Sequence, residues 1–187
     1  MNLKLFDKLM ERRPSQHLPE WRLFLELCEL YMKKRGITKP IVVELGIWNN
    51  YQKKFYEQLL GAEHIGINIT KKRSVPDIQG NTRDPWTLGT LKKRLDGRAI
   101  NILFIDADHH YEAVKKDFEL YAPLCADIVA IHDIVTKSAG VHRFWDELRE
   151  AAMHRKEYKD FLFVSINQRH FRKGLAEGPG IGMIIKR

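Results

Sequence analysis

Residues Ile102-Leu-Phe-Ile105 make an unbroken apolar run that ends abruptly in Asp106, Asp108, His109 and His110, with a helix-type segment directly behind it. A run this short and this apolar is a strand buried in a sheet, and its polar end arrives at the rim where open α/β folds hold their ligands. The arrangement recurs in Asp127-Ile-Val-Ala-Ile131, which ends in His132-Asp133. Two strands with Asp and His at their exits predict a site, and with it a metal, on one edge of a parallel sheet.

The rest of the chain alternates in the same manner. Ile41 to Leu45 reads as a strand, 49–60 as a helix, 64–68 as a strand and 76–79 as a further short strand. Asp84 and Pro85 then open a helix that runs to Leu95, Asp84 as N-cap and Pro85 at the first helical position. Strand 101–106, helix 110–122, strand 127–132, helix 140–155 and strands 160–166 and 180–186 follow. Strands alternating with helices predict a doubly wound α/β fold: a mainly parallel sheet of seven strands with helices on both faces. The last two strands have no helix between them, so the final one is expected to run antiparallel, joined through Gln168 to Gly180. Ahead of the sheet, Leu18 to Arg35 carries Trp21, Leu23, Phe24, Leu25, Leu27, Leu30, Tyr31 and Met32 at helical spacing and is stopped by Gly36. The predicted organisation is one domain, with an N-terminal helical cap over 1–39 and an α/β core over 40–187.

Composition narrows the function classes. With 44% hydrophobic residues the chain can bury a core, and no apolar run approaches the ~18–20 residues that span a bilayer. Met1 to Pro14 mixes acids with bases and lacks an apolar stretch, unlike a signal peptide. Cys28 and Cys125 lack metal-type spacing, so a reduced, cytoplasmic protein is expected. The net charge of +8 suits an anionic partner such as nucleic acid. Its bases, however, are dispersed through Lys33-Lys34-Arg35, Lys53-Lys54, Lys71-Lys72-Arg73, Lys92-Lys93-Arg94 and Lys115-Lys116, mostly on polar helix faces beside acids. A solvated surface is therefore the first reading and a nucleic-acid footprint the second. Oligomeric state does not follow from the composition.

Three places carry chemistry. At the first strand exit, Glu44 and Gly46 suit an adenosyl cofactor: glycine admits the ligand to the backbone, and the acid receives an ammonium group. The ordinary alternative for Glu44 is a salt bridge. At the second exit Asn68 stands where nucleoside-binding folds keep an acid for the ribose hydroxyls, a change expected to weaken ribose binding by about 1–2 kcal/mol. At the fourth and fifth exits, Asp106, His132 and Asp133 offer two carboxylates and an imidazole, a set that binds a divalent ion and leaves positions open. Alternatively both acids cap helices and His132 is a hydrogen-bonded rim residue. His109, in the turn after Asp106, is placed to act as a general base or to bond the backbone at a helix start. His110 is expected to face solvent, and Tyr111 and Trp145 to pack in the core or rim, with stacking on a substrate as the alternative.

With these residues in place the chain resembles the class I S-adenosylmethionine-dependent O-methyltransferases, which have a Rossmann-like fold. The nearer resemblance is to the branch of macrolide sugar O-methyltransferases and cephalosporin hydroxylase-like proteins. It covers about Ile41 to Val141, with an echo in Gly180 to Ile184, and is most specific in Phe104-Ile-Asp-Ala-Asp-His-His-Tyr-Glu-Ala-Val114 followed by His132-Asp133. The resemblance implies S-adenosylmethionine and a divalent ion, magnesium or manganese, as cofactors. It places metal ligands at Asp106, His132 and Asp133 and a base at His109. It also places the methionine-binding segment at Glu44 and Gly46, the ribose position at Asn68 and the adenine position at Asn81 and Thr82. The implied activity is methyl transfer to a small hydroxylated substrate such as a sugar or glycoside. Trp48-Asn49-Asn50, Asn68 and Asn81 depart from the family pattern, all on the cofactor side. These departures support a second reading, a catalytically silent binding module, while the charge supports a third, a nucleic-acid-directed methyltransferase.

Overall fold

The computed structural model describes residues 1–12, 14–136, 140–155, 159–167 and 179–186. Among these residues the strands are β1 (Ile41–Leu45), β2 (Glu63–Asn68), β3 (Ile78–Gln79), β4 (Ile100–Ile105), β5 (Cys125–His132), β6 (Phe161–Ile166) and β7 (Ile181–Lys186). They form one sheet in the order β3-β2-β1-β4-β5-β7-β6. The first five are parallel, and β7 lies antiparallel between β5 and β6. The doubly wound sheet and its reversed last strand match the expectation from sequence. Of the connection expected from Gln168 to Gly180, residues 168–178 lie outside the described residues.

Among the described residues six α-helices cover the sheet: α1 (Leu3–Met10), α2 (Leu18–Lys34), α3 (Gln52–Leu60), α4 (Pro85–Leu95), α5 (Tyr111–Tyr121) and α6 (Val141–His154). Strand alternation divides the core in two. From β1, Ile41, Val43 and Leu45 join Leu91, Val114, Phe144 and Trp145 beneath α4, α5 and α6. Val42 points the other way and joins Phe6, Trp21, Phe24 and Phe55 beneath α1, α2 and α3. Asp84 caps α4 as its sequence predicted, its carboxylate accepting from the Trp86 N–H at 2.8 Å. On the same face the Trp145 ring packs against Gly182 of β7, where even a methyl group would come within 2.7 Å of the ring.

The N-terminal segment does more than cap. Trp21, Phe24, Leu25, Cys28 and Met32 are the buried stripe of α2, spaced by three, one, three and four residues along the helix. Trp21 meets Phe104 of β4 edge-on at 5.7 Å, and Phe24 meets it at 5.3 Å, so α2 is a full layer of the fold. Leu23 and Leu30, part of the same apolar pattern, face outward. Helix α1 was not expected. Its eight residues are capped by the Asn2 side chain, which accepts from Leu5 N–H at 3.1 Å, and it buries Phe6 and Leu9.

Candidate active site

The strand order reverses between β1 and β4, and the exits of these two strands are stapled together. Asp106 N–H donates to the Leu45 carbonyl at 2.8 Å and Gly46 N–H to that of Ile67 at 2.9 Å. Gly46 adopts φ +88°, a conformation glycine reaches without steric cost. Two adjoining cavities open here, as expected at a switch point in an α/β sheet. One, of about 440 Å³, is lined by Gly46, Asn68, Asn81, Thr82, Asp108 and His109, among others. The second, of about 660 Å³, shares Gly46, Asn68 and His109 and reaches Asp106, His132 and Asp133.

Four donors converge in the second cavity. His132 Nδ1 lies 3.2 Å from both Asp106 Oδ1 and Asp133 Oδ2. His109 Nε2 lies 3.3 Å from the same two oxygens. Neither acid caps a helix: α5 starts from His110, which makes no capping bond, and α6 starts from Gly140. Asp133 is instead held at φ +63°, with Thr136 Oγ1 donating to it at 2.9 Å. Backbone of this kind, which Asp tolerates better than most residues, is concentrated at functional sites. Asp106, His109 and Asp133 each place a ligand atom within 4.8 Å of the others, a grouping able to hold a metal ion.

The charges are strongly coupled. Burial alone would lower the His132 pKa, but the Asp106 charge and the bonds to Asp106 and Asp133 outweigh it and push it up to about 10. Burial would raise Asp106, yet the His132 charge and bonds from His109 and His132 bring it down to about 2. A hydrogen bond donated to Asp106 and the charges of Asp133 and Asp106 raise His109 against its partial burial. The His132 pKa is thus above its unfolded value of 6.5, so its stabilising effect is complete below that pH and is lost as pH climbs toward 10. For Asp106, depressed from 3.8, the effect is present above 3.8 and is lost as pH falls toward 2. In chelator, the melting temperature is expected to fall steadily from pH 7 to pH 10. His132→Asn should flatten that limb, and an unchanged slope in this variant would place the transition elsewhere.

The remaining residues singled out in the sequence divide. Gly46 and Asn68 line both cavities, and Asn68 spends its amide donor on the Thr70 carbonyl at 3.0 Å. Asn81 lines the smaller one while its side chain accepts from Arg83 N–H at 3.0 Å. Thr82 forms the wall, its hydroxyl turned inward to Asp117 at 2.6 Å. Glu44 does not reach either cavity: it is fully buried on β1, with Oε2 2.8 Å from the equally buried His64 Nε2. Strand alternation sends its side chain beneath the site, toward α2 and α3. His110 is exposed and bonded to Asp108, as expected of a solvent-facing residue.

Three contributors were not foreseen. Gln16, between α1 and α2, approaches Asp106 Oδ2 with Nε2 at 3.5 Å, ninety positions away in sequence. No local signal could have announced it. Lys72 and Arg73 line the larger cavity, although their charge run reads as solvated surface.

A family profile described as a methyltransferase domain matches residues 43–134. No curated protein matches the sequence. Among solved structures, MycE methyltransferase from the mycinamycin biosynthetic pathway, in complex with Mg, SAH and mycinamycin VI, superposes with TM-score 0.66 at 15% identity over 97% of this chain and 53% of its own. The chain thus spans about half the length of MycE. An O-methyltransferase from Bacillus cereus in complex with SAH gives TM-score 0.60 at 13% identity over 97% of this chain and 90% of its own. The O-methyltransferase TomG from Streptomyces achromogenes, in complex with SAM, gives 0.56 at 16% over 87% and 78%. The chain has the class I methyltransferase fold. Within this methyltransferase fold the matched segment runs from β1 to just past Asp133, enclosing both cavities' floors. Among the described residues no helix is long and apolar enough to cross a membrane.

Proposed function

We propose that the chain is an S-adenosylmethionine-dependent, divalent-metal-assisted O-methyltransferase acting on a small hydroxylated molecule, a sugar or glycoside being the leading class. The observation that carries this reading is the convergence of Asp106, Asp133, His132 and His109 beside a nucleoside-sized cavity at the strand switch point.

The residues fit the two groups this reading requires. Two carboxylate oxygens and an imidazole nitrogen 3.2 Å from each have the spacing of neighbouring ligands around an ion bound at ~2.1 Å, and hard oxygens favour magnesium or manganese. The cavity of about 440 Å³ lies within the range that encloses small ligands, and Gly46 leaves its backbone open to them. When bound, S-adenosylmethionine supplies an electrophilic methyl group and the ion lowers the acceptor hydroxyl pKa.

The chain's own residues do the rest. Asp106, Asp133 and the buried His132 form the ligand set on the inner side. His109, half exposed on the outer side, takes the acceptor proton at Nε2. The two carboxylates favour its protonated form, and neutralising them returns the imidazole to a pKa suited to accepting a proton. Asn68 offers its remaining acceptor to the ribose, and the cavity walls align methyl donor with acceptor oxygen.

Calorimetric titration with S-adenosylmethionine, with and without magnesium or manganese, tests the reading. Micromolar binding together with a methylated product from a panel of sugars is the expected result. Absence of binding heat, with an unchanged melting temperature, would leave the silent binding module in its place. His109→Gln separates base from ligand: turnover is expected to drop ~10²–10⁴-fold with metal affinity kept within about threefold. Loss of metal affinity to the extent seen in a His132→Ala variant would make His109 a ligand instead.

A further inference from the structure

The larger cavity is bipolar. It holds the carboxylates of Asp106 and Asp133, and its lining also includes Lys72 and Arg73. Several basic side chains of the molecule are matched to acids, among them Arg83 of the smaller cavity to Asp108, Arg94 to Asp77, Arg98 to Glu63 and Lys115 to Glu147. Among the described residues no carboxylate pairs with Lys72 or Arg73. Two cations without a carboxylate partner on the rim of an open cavity are a recognition feature for an anion.

The segment that carries them is fastened in place. Lys72 N–H donates to Thr70 Oγ1 at 3.2 Å, and the Ser74 hydroxyl donates to the Trp48 carbonyl at 3.2 Å. The Arg73 guanidinium carbon sits 3.8 Å from the centre of the Trp48 ring. Stacking of this kind uses the guanidinium face and leaves its edge N–H groups free. Those edge donors form the fork that meets a phosphate or carboxylate with two parallel bonds. Trp48, which looked in the sequence like a departure from a glycine-containing turn, is what steadies the fork.

We propose that the acceptor carries an anionic group, phosphate or carboxylate, held by Lys72 and Arg73 while its hydroxyl lies beside Asp106 and Asp133. Only the placement of the hydroxyl rests on the methyltransferase reading. Without an ion the two carboxylates repel an anion, and with one their charges are already engaged by it, so the bases are left to take the anionic end. The hydroxyl end of the molecule lies at the acids and its charged end at the bases. At about 660 Å³ the cavity takes a ligand of sugar-phosphate size.

The test is calorimetry on the full chain at fixed ionic strength, with glucose 1-phosphate and glucose as matched probes, with and without S-adenosylhomocysteine. The phosphorylated probe is expected to bind at least ~tenfold more tightly, the margin that charge-assisted bonds supply. The double substitution Lys72→Ala, Arg73→Ala should erase that preference. Both side chains are exposed, so the circular dichroism spectrum should not change. S-adenosylhomocysteine affinity should stay within about threefold. Equal binding of the two probes to the parent protein overturns the proposal. So does an equal loss of S-adenosylhomocysteine affinity in the double variant, which would assign the bases to the cofactor's carboxylate. Tighter binding of a short single-stranded RNA, with steep salt dependence, would assign them to nucleic acid and also overturn it. Should S-adenosylhomocysteine fail to bind while the phosphate preference persists, the anion site stands and only the methyltransferase reading falls.

Discussion

Replacing Asp106 with alanine is expected to abolish divalent-metal binding and methyl transfer together. Its Oδ1 lies within 3.3 Å of both imidazoles, so no other single side chain compensates. Loss of one preorganised electrostatic contact in an active site costs ~10²–10³-fold in turnover, and here the whole ion is lost with it. The metal-free protein suffers too. His132 is 7% exposed and depends on Asp106 and Asp133 for its charge. Removing one partner from a buried pair costs on the order of 3–5 kcal/mol, although His132 can shed its proton and recover part of that. Asp106→Asn keeps the shape and serves as the control. Manganese binding followed by electron paramagnetic resonance, alongside product formation, checks the prediction. Unchanged turnover in Asp106→Ala would remove the metal from the mechanism.

The second large effect is expected at Gly46. A methyl group there would stand 2.1 Å from the Asp106 carbonyl oxygen and 2.6 Å from the Ala107 Cα, both backbone atoms of the adjacent strand exit. These atoms cannot swing aside as a side chain would, and φ +88° adds its own penalty for any residue with a Cβ. The two costs together come to about 3–5 kcal/mol, a large part of the stability of an ordinary domain. Gly46→Ala should therefore lower the melting temperature by ~10 °C or prevent soluble expression. Gly89, within α4 and with nothing within 4 Å of its would-be Cβ, is the contrasting case. Gly89→Ala should stabilise by about 0.5–1 kcal/mol through helix propensity. If the two variants melt alike, the strand exit is less closely built than described here.

Much of the fold was legible because strand and helix periods are local properties. The run Ile102 to Ile105 announces a doubly buried strand, and the Asp84-Pro85 pair announces a helix start. Helix α1 escaped because eight residues with three charges carry little periodic signal, and its helicity depends on burying Phe6 and Leu9. Asp106, His132, Asp133 and His109 were legible as a site because polar residues directly after apolar runs must emerge at one edge. Glu44 was misplaced for a related reason. Near a strand end, one residue decides which way a side chain points, and the pleat turns Glu44 to His64 and away from the cavities. The roles of Gln16, Lys72 and Arg73 arise from tertiary proximity, which neither spacing nor composition encodes.

The docking of α2 has one more consequence. Its first turn is tied to the far side of the sheet, where Glu20 Oε2 accepts from Gly180 N–H at 3.1 Å. Just before that turn, Gln16 touches Asp106. This contact gives the N-terminal layer and the carboxylate pair a physical connection, and any coupling carried through it acts equally in both directions. An ion captured at Asp106 and Asp133 should slow amide exchange along α2, a helix that contributes no side chain to the ion itself. In reverse, a substitution that loosens Trp21 or Phe24 should weaken metal affinity from the opposite end of the same layer.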